Sequence, residues 1–506
     1  MLSKILFRAG VILCNLLTVV MVAPGQGNLN PSDPPAPTMK TLLQVEPRVD
    51  LATVGGDGFG VYVIKGAGSF YLTQDLAGAL GKHTIRVATA GRVTIDLNGF
   101  ALTSTASGRS AVFLVAGNDA IIIRNGIILA GNGTNAIGGS GSRVVCENLS
   151  VVAGDLKLGS DSMVTGCNLI GGGIECGDRS SVRDTIIDGN GRDISLTLGD
   201  DSHVSGVIFT TGRGGFTVGA RGLIADCRIN AVGPSTVFIN SSVLFVGSGS
   251  VVRHCSVSAG NVSGHAIGIG DGVLVSGCRV LSAFRDGITS SGAANVTIES
   301  CSVQGNGRDG IVLGANARVR DCIVQGSGTS GIEVGENSVV TGCTVSGCQS
   351  GGIRSIGENV SVSHCTLRGN AGAPGISIFS GSIADCDVAS TTGGAGIEVT
   401  QRSQVLRNRS ENNGTISAPT DPRAGLRIVG PNNRVEDNHL INNSGFGLEI
   451  TTNGPPNLNI GNLVIRNNAR GNAAGQFNIP AGNAAGPIVT SAGATTTTIP
   501  TANFGP

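Results

Sequence analysis

The sequence has almost no aromatic side chains and few charges. Among 506 residues there is no Trp, there are two Tyr, and only 13% are charged. Lys plus Arg equals Asp plus Glu at 34 each, so the chain has no net charge that would attract nucleic acid or an anionic surface. We therefore expect no nucleic-acid partner. The scarcity of Trp and Tyr also counts against a glycan groove built from aromatic faces.

Glycine and apolar residues are abundant instead. The 81 Gly are too many for a helical protein, and a hydrophobic content of 40% is too high for a disordered one. This composition is typical of many short strands joined by tight bends.

The first residues have the pattern of a secretory signal peptide. Lys4 and Arg8 precede an apolar stretch at 9–22, and small residues follow it. The stretch is about fourteen residues long, which is shorter than the roughly 20 that a spanning helix needs. We predict cleavage near residues 23–27 and no integral membrane span afterwards. The mature chain would be secreted, periplasmic or attached to the cell surface.

Composition divides the chain into four segments. We assign residues 1–25 to the signal peptide and 26–58 to a Pro-rich linker or leader. Residues 59–480 form a repeat domain that includes its own N-terminal cap, and 481–506 form a low-complexity tail of Gly, Ala and Thr.

A repeat of about 22 residues dominates the sequence. In its first frame an apolar residue is followed three positions later by Cys or Asn, as in Val252-Arg-His-Cys255-Ser-Val257. Between Cys255 and Asn408 this frame recurs every 21 to 23 residues. A second frame, Gly-apolar-x-apolar, follows in each repeat, as in Gly310-Ile-Val-Leu313. Apolar residues at alternate positions are typical of strands and not of helices.

Three short strands per repeat, with Gly, Asn or Asp at the bends, predict an all-β fold. A leucine-rich repeat has a similar period, but its Leu-x-x-Leu-x-Leu pattern is missing. We therefore predict a single-stranded right-handed parallel β-helix, a solenoid of about 17 rungs with capped ends, in which stacking buries the apolar residues.

The Cys or Asn of the first frame should form one buried ladder. We assign to it Asn98, Asn125, Asn148, Cys167, Cys227, Cys255, Cys278, Cys301, Cys322, Cys343, Cys365, Cys386, Asn408, Asn438 and Asn467. Neighbouring side chains would point in parallel about 4.8 Å apart, whereas the Cβ atoms of a disulfide approach to about 3.8 Å. We expect reduced, buried thiols and no metal site. Cys146, Cys176 and Cys348 lie outside the frame, and we expect them to be exposed or paired.

One column of polar residues is the best candidate for chemistry. Alignment of the second frame places His265, Asp286 and Asp309 on three consecutive rungs. Stacked carboxylates raise each other's pKa, so these three are candidate catalytic residues. Arg285 and Arg308 adjoin them and are candidates for binding an anionic sugar. The alternative is turn chemistry, in which each Asp accepts backbone hydrogen bonds and the Arg neutralises it.

Two further polar groups are weaker candidates. Asp200-Asp201-Ser-His203 has a carboxylate pair near a His, as glycoside hydrolysis requires, but it lies in a Gly-rich bend. An outward stripe alternates in sign, and we interpret it as pairing between neighbouring rungs; it consists of Glu333, Arg354, Ser377, Glu398, Arg427 and Glu449.

The segments Gly68-Ser-Phe-Tyr-Leu72, Val93-Thr-Ile-Asp-Leu-Asn-Gly-Phe100 and Gly461-Asn-Leu-Val-Ile-Arg-Asn-Asn468 resemble bacterial right-handed parallel β-helix repeat proteins of the pectate-lyase-like superfamily. The resemblance covers nearly the whole mature chain and implies the fold, but no single function. Polygalacturonases carry Gly-His-Gly, whereas Gly264-His265 is followed here by Ala266. The Asp-Pro-His-Glu motif of alginate epimerases does not occur. No catalytic residue carries over.

Two functions remain open. The first is a non-catalytic exported rod that binds a glycan, a matrix or a cell surface. The second is a polysaccharide lyase or glycoside hydrolase that acts on an acidic glycan at His265, Asp286 and Asp309. No cofactor is predicted, and calcium enters only with the lyase alternative. A concave groove that contains the three side chains would favour the enzyme.

Overall fold

The computed structural model describes residues 48–505, apart from 106–108, 116, 118, 212–213, 232–241, 261–262, 291, 415–422, 453–458 and 491–498. The predicted signal peptide and most of the predicted leader lie outside these residues. In the described part of the chain, no helix is long and apolar enough to cross a membrane.

The described residues form a stack of about 18 rungs, in which each strand pairs in parallel with strands one rung earlier and one rung later. This confirms the prediction of an all-β, right-handed parallel β-helix. The count from the sequence started at Asn98, whereas the strand Arg48–Asp50 already pairs with Gly68–Tyr71. A single turn of 3-10 helix, Leu51–Thr53, follows that first strand.

A complete rung contributes one strand to each of three sheets. The strands Asp119–Gly139 and Ser142–Leu158 are long enough to bend through all three sheets. The other strands of the first sheet are Arg48–Asp50, Gly68–Tyr71, Val93–Asp96, Met163–Thr165, Ser181–Arg183, His203–Ser205, Leu223–Ala225, Val251–Arg253, Leu274–Ser276, Thr297–Glu299, Arg318–Arg320, Val339–Thr341, Val360–Ser363, Gly381–Ala384, Gln404–Leu406, Arg434–Glu436, Leu463–Ile465 and Ala484–Ala485.

The other strands of the second sheet are Leu76–Ala77, Ala101–Thr103, Asn168–Ile170, Ile186–Asp188, Ile208–Thr211, Arg228–Ala231, Ser256–Ser258, Arg279–Leu281, Ser302–Gln304, Ile323–Gln325, Thr344–Ser346, Thr366–Arg368, Asp387–Ala389, Arg409–Glu411, His439–Ile441, Asn468–Arg470, Ile488–Val489 and Asn503–Phe504. Those of the third sheet are Gly60–Ile64, His83–Val87, Val112–Leu114, Ile174–Cys176, Leu196–Leu198, Phe216–Val218, Ser242–Val246, His265–Ile269, Ile288–Thr289, Ile311–Leu313, Ile332–Val334, Ile353–Ser355, Ile376–Ile378, Ile397–Val399, Leu426–Ile428, Phe446–Ile450 and Gly475–Asn478.

Alternation of side chains along each strand builds the core. Ile332 and Val334 are buried, while Glu333 between them faces outward. The inward residues of all three sheets form one continuous hydrophobic cluster from Leu51 to Ala469. No rung encloses its apolar residues alone, so the stacking of rungs supplies the burial.

The paired strands continue outside residues 59–480. Arg48–Asp50 lies in the segment assigned to the leader, and Asn503–Phe504 lies in the segment assigned to the tail. Asn503 Oδ1 accepts a hydrogen bond of 3.0 Å from the backbone N–H of Asn467, which links this last strand to the rung before it.

The bend between the first and second strands of a rung, the first corner, contains a residue with positive φ followed by an inward residue. Cys255 is such an inward residue, and His254 before it has φ 53°. The nine predicted cysteines and Asn408, Asn438 and Asn467 occupy the inward position in register, with Thr185 and Val207 on the two rungs between Cys167 and Cys227.

Asn98, Asn125 and Asn148 do not belong to this ladder, which corrects the prediction from the sequence. All three have φ between 51° and 60°. Asn125 and Asn148 occupy the position just before the ladder, and Asn98 lies two residues before Phe100, which is in the ladder register on its rung. On the rung of Asn148 the inward residue is Leu149, which lies in register with Cys167. Asn tolerates the left-handed backbone region, so the same residue type suits both neighbouring positions.

Cys and Asn exchange in the ladder because both satisfy the same backbone carbonyl. Asn438 Nδ2 donates to the oxygen of Glu436, two residues earlier, at 3.0 Å. The thiol of Cys301 donates to the equivalent oxygen of Glu299 at 3.2 Å. The cysteines that the structure describes are all buried and free.

The expectation that Cys146, Cys176 and Cys348 are exposed or paired was wrong. Cys146 and Cys176 take inward strand positions: Cys146 pairs with Val164, and Cys176 with Leu198. Cys348 lies at the bend between the second and third strands, the second corner, where its backbone N–H donates to Asn370 Oδ1 at 3.1 Å. This is a second buried ladder, and it includes Asn306, Cys348, Asn370, Asn413, Asn443 and Asn472.

Candidate functional site

The predicted polar column lies where the second corner enters the third sheet. The backbone N–H of Ala266 donates to the oxygen of Asp286 at 3.1 Å, and that of Gly287 donates to the oxygen of Asp309 at 3.0 Å. His265, Asp286 and Asp309 are therefore in register on three consecutive rungs, and the structure brings the three together.

The two aspartates are covered and hold the backbone of the next rung. Asp286 is 5% exposed and Asp309 is 8% exposed. Asp286 Oδ1 accepts the backbone N–H of Asp309 at 3.2 Å, and Asp309 Oδ1 accepts that of Ser330 at 2.8 Å and the hydroxyl of Thr329 at 2.5 Å. The carboxylates thus accept backbone hydrogen bonds at bends, as in the turn-chemistry alternative, but each bond joins one rung to the next.

His265 completes this column. Its Nδ1 lies 3.0 Å from Asp286 Oδ2 and 3.3 Å from the backbone nitrogen of Asp286. Burial by itself raises the pKa of Asp286, but the hydrogen bond and charge of His265, the N–H of Asp309 and the charge of Arg308 outweigh it. The pKa of Asp286 is therefore lowered, and its carboxylate is charged at neutral pH.

Glu333 belongs to the same polar surface, although the sequence did not identify it as part of the site. It lies one rung after Asp309, and its side chain is 18% exposed. Burial raises the pKa of Glu333, and the charges of Asp309 and Asp286 raise it further, while Arg354 opposes them. In the sequence analysis Glu333 is assigned to the outward stripe of alternating charge. The position of that stripe beside the His265 column is the feature that would have identified Glu333 as part of the site.

A surface pocket of about 680 Å³ adjoins the column at the second corner. It is lined by Gly260, Ser282, Ala283, Phe284, Arg285, Gly305, Gly307 and Arg308. Gly307 allows close approach of the rungs, since a Cβ there would lie 2.2 Å from the oxygen of Phe284. The Phe284 residue is 59% exposed, and the Arg308 side chain is 57% exposed. We call this concavity the arginine pocket.

The predicted Arg residues therefore line a concave site, whereas the three predicted catalytic side chains do not. Arg308 Nε lies 3.9 Å from Asp286 Oδ1, and Arg285 makes no ion pair among the described residues. Two exposed guanidinium groups on adjacent rungs can bind an anionic group bidentately.

A smaller pocket, of about 90 Å³, lies farther along the same column. It is lined by Ser330, Ser350, Gly351, Gly352, Ile353, Arg354, Ala373, Pro374 and Ser377. The Arg354 side chain is 61% exposed and contacts Glu333 Oε2 at 3.2 Å. We call this concavity the serine pocket.

The Asp200–Asp201 pair is occupied by structural contacts. Asp201 forms a two-pronged ion pair with Arg221 at 2.7 and 2.8 Å, and Asp200 Oδ1 accepts the backbone N–H of Ala220 at 2.8 Å. His203 Nδ1 faces Arg183 at 3.2 Å. This cluster is explained by contacts between rungs.

No cluster of three or more His, Cys, Asp or Glu in the described ranges has the arrangement of a metal site. The cysteines from Cys255 to Cys386 lie in register on consecutive rungs, so their sulfur atoms form a single file and do not converge on a point as a bound metal requires.

Three solved structures illustrate what the chain is similar to. The A-module of the mannuronan C-5 epimerase AlgE4 of Azotobacter vinelandii is 11% identical, with 86% of this chain and 99% of that chain covered and a TM-score of 0.19. The Dettilon tailspike protein is 15% identical, with 72% and 62% covered and a TM-score of 0.28. A mannuronic acid specific polysaccharide family 6 lyase from human gut microbiota is 12% identical, with 75% and 80% covered and a TM-score of 0.24.

These likenesses carry no information on activity. No curated protein matches the chain. A family model matches, and it covers more than half of the sequence: residues 199–339 and 314–498 fit the model of the right-handed β-helix region. The chain belongs to the right-handed β-helix family.

Proposed function

We propose that the protein is a non-catalytic exported β-helix that binds an acidic glycan, of a matrix or a cell surface, through the arginine pocket. One observation carries this proposal: the guanidinium groups of Arg285 and Arg308 face the pocket, while the carboxylates of Asp286 and Asp309 are buried behind it.

A catalytic acid or base must reach the proton that it transfers. The oxygens of Asp286 and Asp309 instead accept backbone N–H groups of the following rung. Catalysis at these residues would require them to give up the contacts that hold Asp309 and Ser330 in place. The geometry therefore favours a structural role for Asp286 and Asp309, which support the neighbouring arginines, over a catalytic role.

The arginine pocket suits a carboxylated or sulfated sugar. A guanidinium group binds a carboxylate or a sulfate through two parallel hydrogen bonds. The exposed ring of Phe284 offers an apolar surface to a sugar ring, which compensates for the lack of Trp and Tyr. Because the arginines are exposed, their attraction to an anionic chain should weaken as ionic strength rises.

The test is the binding of oligogalacturonate and of a neutral oligosaccharide of equal length, measured by calorimetry. We expect the acidic ligand to bind more tightly, and Arg285→Ala and Arg308→Ala each to weaken binding about tenfold, or ~1.4 kcal/mol. Arg318→Ala removes an exposed arginine from the first sheet and should have no effect. Equal affinity for both ligands, or equal loss in all three variants, would contradict the proposal.

A second candidate, a lyase or hydrolase of acidic glycans, is favoured by Glu333. The pKa of Glu333 is raised, whereas the pKa of Asp286 is lowered. Glycan-cleaving sites use such a pair, in which one carboxyl group donates a proton and the other stays charged. Assays for new reducing ends and unsaturated products should compare the wild type with Glu333→Gln. If the wild type cleaves the glycan and Glu333→Gln does not, the enzyme hypothesis replaces the non-catalytic proposal. If the wild type releases no products, the enzyme hypothesis is rejected.

A further inference from the structure

An apolar patch lies on the outer face of the second sheet, on the five consecutive rungs from Asp119–Gly139 to Ile208–Thr211. Each of these rungs places two side chains outward, and strand pairing keeps them in two columns. Six of the ten outward residues are apolar: Ile127, Leu129, Val152, Ile170, Ile186 and Ile208. The other four are Ser150, Asn168, Asp188 and Thr210. We call this surface the isoleucine face.

The isoleucine face is exposed and confined to these rungs. Ile186 and Ile208 are each 45% exposed, although both are large apolar side chains. On the next five rungs, two of the ten outward residues are apolar, Leu281 and Ile323. The column that contains Ile208 continues with Arg228. The fold therefore does not require outward apolar residues in this sheet, and a contiguous patch of them on a soluble protein marks an interaction site.

We propose that the isoleucine face binds the isoleucine face of a second copy of the chain, so that the protein forms a reversible dimer. Strands in register give the face straight columns of side chains, and such a face packs against a second sheet about 10 Å away. Asp188 is the single charged residue among its ten outward residues, so the face offers no cation to an anionic lipid surface or an acidic protein. A partner with the same apolar surface fits it best, and every copy supplies one.

The distribution of the apolar residues suits two-fold symmetry, in which both copies use the same surface. Asn168–Ile170 is the strand of the middle rung. A two-fold axis along this strand places Ile127 of one copy opposite Ile208 of the other, and Ile170 opposite its own counterpart. Asp188 then lies opposite Val152 and not opposite a second carboxylate.

The extent of the isoleucine face determines how tightly the copies associate. A stable interface has about 20–30 residues on each side, which is more than the ten outward residues of this face. We therefore expect a Kd on the order of 10 µM. The arginine pocket begins at Gly260, two rungs beyond Ile208, and stays open in each copy. The dimer is thus independent of the proposed glycan ligand and carries two binding pockets.

Sedimentation velocity of the full chain from about 1 to about 100 µM tests the proposal around the expected Kd. The sedimentation coefficient of the wild type should rise with concentration from that of a monomer to that of a dimer. Ile170→Lys and Ile208→Lys should each weaken the dimer at least about tenfold, because they place ammonium groups in an apolar contact. Ile323→Lys is the matched control, since Ile323 is 50% exposed in the same column as Ile208 but lies outside the face.

A wild type that stays monomeric throughout this range would overturn the proposal, and so would an Ile323→Lys variant that dissociates as readily as Ile208→Lys. A species larger than a dimer would exclude the two-fold arrangement. If the wild type binds phosphatidylcholine vesicles and Ile208→Lys does not, the face belongs to a lipid surface instead. Circular dichroism and thermal melting should show the same fold and melting temperature in all three variants, because the substituted side chains are exposed.

Discussion

At the scale of the residue, Asp286 shows how a buried acid can stabilise this fold. Its Oδ2 lies 3.0 Å from His265 Nδ1, its Oδ1 accepts the backbone N–H of Asp309, and its pKa is lowered. A folded-state pKa below the unfolded value means that the charged form stabilises the native state. That contribution is present above the ordinary value of 3.8 and is lost as the pH falls through the lowered pKa.

We therefore predict that Asp286→Asn lowers the free energy of unfolding by about 3 kcal/mol at neutral pH, since it leaves buried partners unsatisfied. The difference from the wild type should shrink below pH ~4. Urea denaturation over this pH range provides the measurement, and Asp188→Asn, at an exposed carboxylate, provides the control. A difference that stays constant with pH would contradict the assigned role of the charge.

The buried thiols should be unreactive in the native state. Burial raises the pKa of Cys176 to about 12 and the pKa of Cys146 well above its usual value, so both stay protonated near neutral pH. We predict that iodoacetamide followed by mass spectrometry finds both unmodified until denaturant is added. Leu80→Cys, at a position 83% exposed, should be labelled at once. Rapid native labelling of Cys146 or Cys176 would mean that the wall of the β-helix opens.

At the scale of the element, the ladder should depend on Asn more than on Cys. Asn438 Nδ2 donates to Val405 O, to Glu436 O and to Asn467 Oδ1, all within 3.0 Å. Its Oδ1 accepts the backbone N–H of Asn408 at 2.9 Å. Cys301 occupies an equivalent buried position with a weaker donor, whose thiol contacts Glu299 O and Val275 O at 3.2 and 3.7 Å.

We predict that Asn438→Ala destabilises the protein by about 3 kcal/mol, since it leaves several buried groups unpaired. Cys301→Ala should cost only about 1 kcal/mol, since it removes one small side chain from the core. Urea denaturation of the two variants provides the comparison. If Cys301→Ala proved as damaging as Asn438→Ala, then packing rather than hydrogen bonding would maintain the ladder.

The strands could be predicted from the sequence more accurately than the bends. Alternation such as Ile332-Glu333-Val334 reports directly which residues face inward. At the first corner two adjacent positions both favour Asn, for different physical reasons, and so Asn125 and Asn148 were assigned to the inward position although they lie one residue before it. Asn98 lies two residues before the inward position of its rung. The ladder of the second corner was missed although Asn306, Cys348 and Asn370 each follow an apolar residue by three positions, as the members of the first frame do. The first frame was assigned to only one position in each repeat.

The candidate site was predictable only in part. Register between repeats was sufficient to place His265, Asp286 and Asp309 together. The concavity beside them depends on backbone shape at Gly305 and Gly307, which hydrophobic periodicity does not report. Glu333 was assigned to a different stripe because its distance from Asp309 depends on how the bend leads into the strand.

At the scale of the whole molecule, a stack of equivalent rungs should tolerate the loss of one complete rung. Removal of residues 387–408 joins Cys386 to Arg409 and preserves the order of the three strands. The backbone N–H of Cys386, which donates to Asn408 Oδ1 at 2.9 Å, would then face Asn438 Oδ1 instead. The remaining interfaces would keep their residue types.

We predict that this deletion variant folds with an unchanged strand content by circular dichroism and with a modestly lower melting temperature. Removal of residues 387–397, about half a rung, should prevent folding, because it brings outward residues of one sheet against inward residues of another. If both deletions folded equally well, the register between rungs would not be what specifies the structure.

The backbone N–H groups of the asparagine ladder all donate to the side chain of the following rung. The backbone N–H of Asn408 donates to Asn438, that of Asn438 to Asn467, and that of Asn467 to Asn503. During synthesis, each of these asparagine rungs therefore carries a backbone donor whose acceptor has not yet been translated. At Asn503 the backbone N–H turns back to the oxygen of Pro487 instead, at 2.8 Å. The hydrogen bonds of each asparagine rung are thus completed only after the following rung has been synthesised.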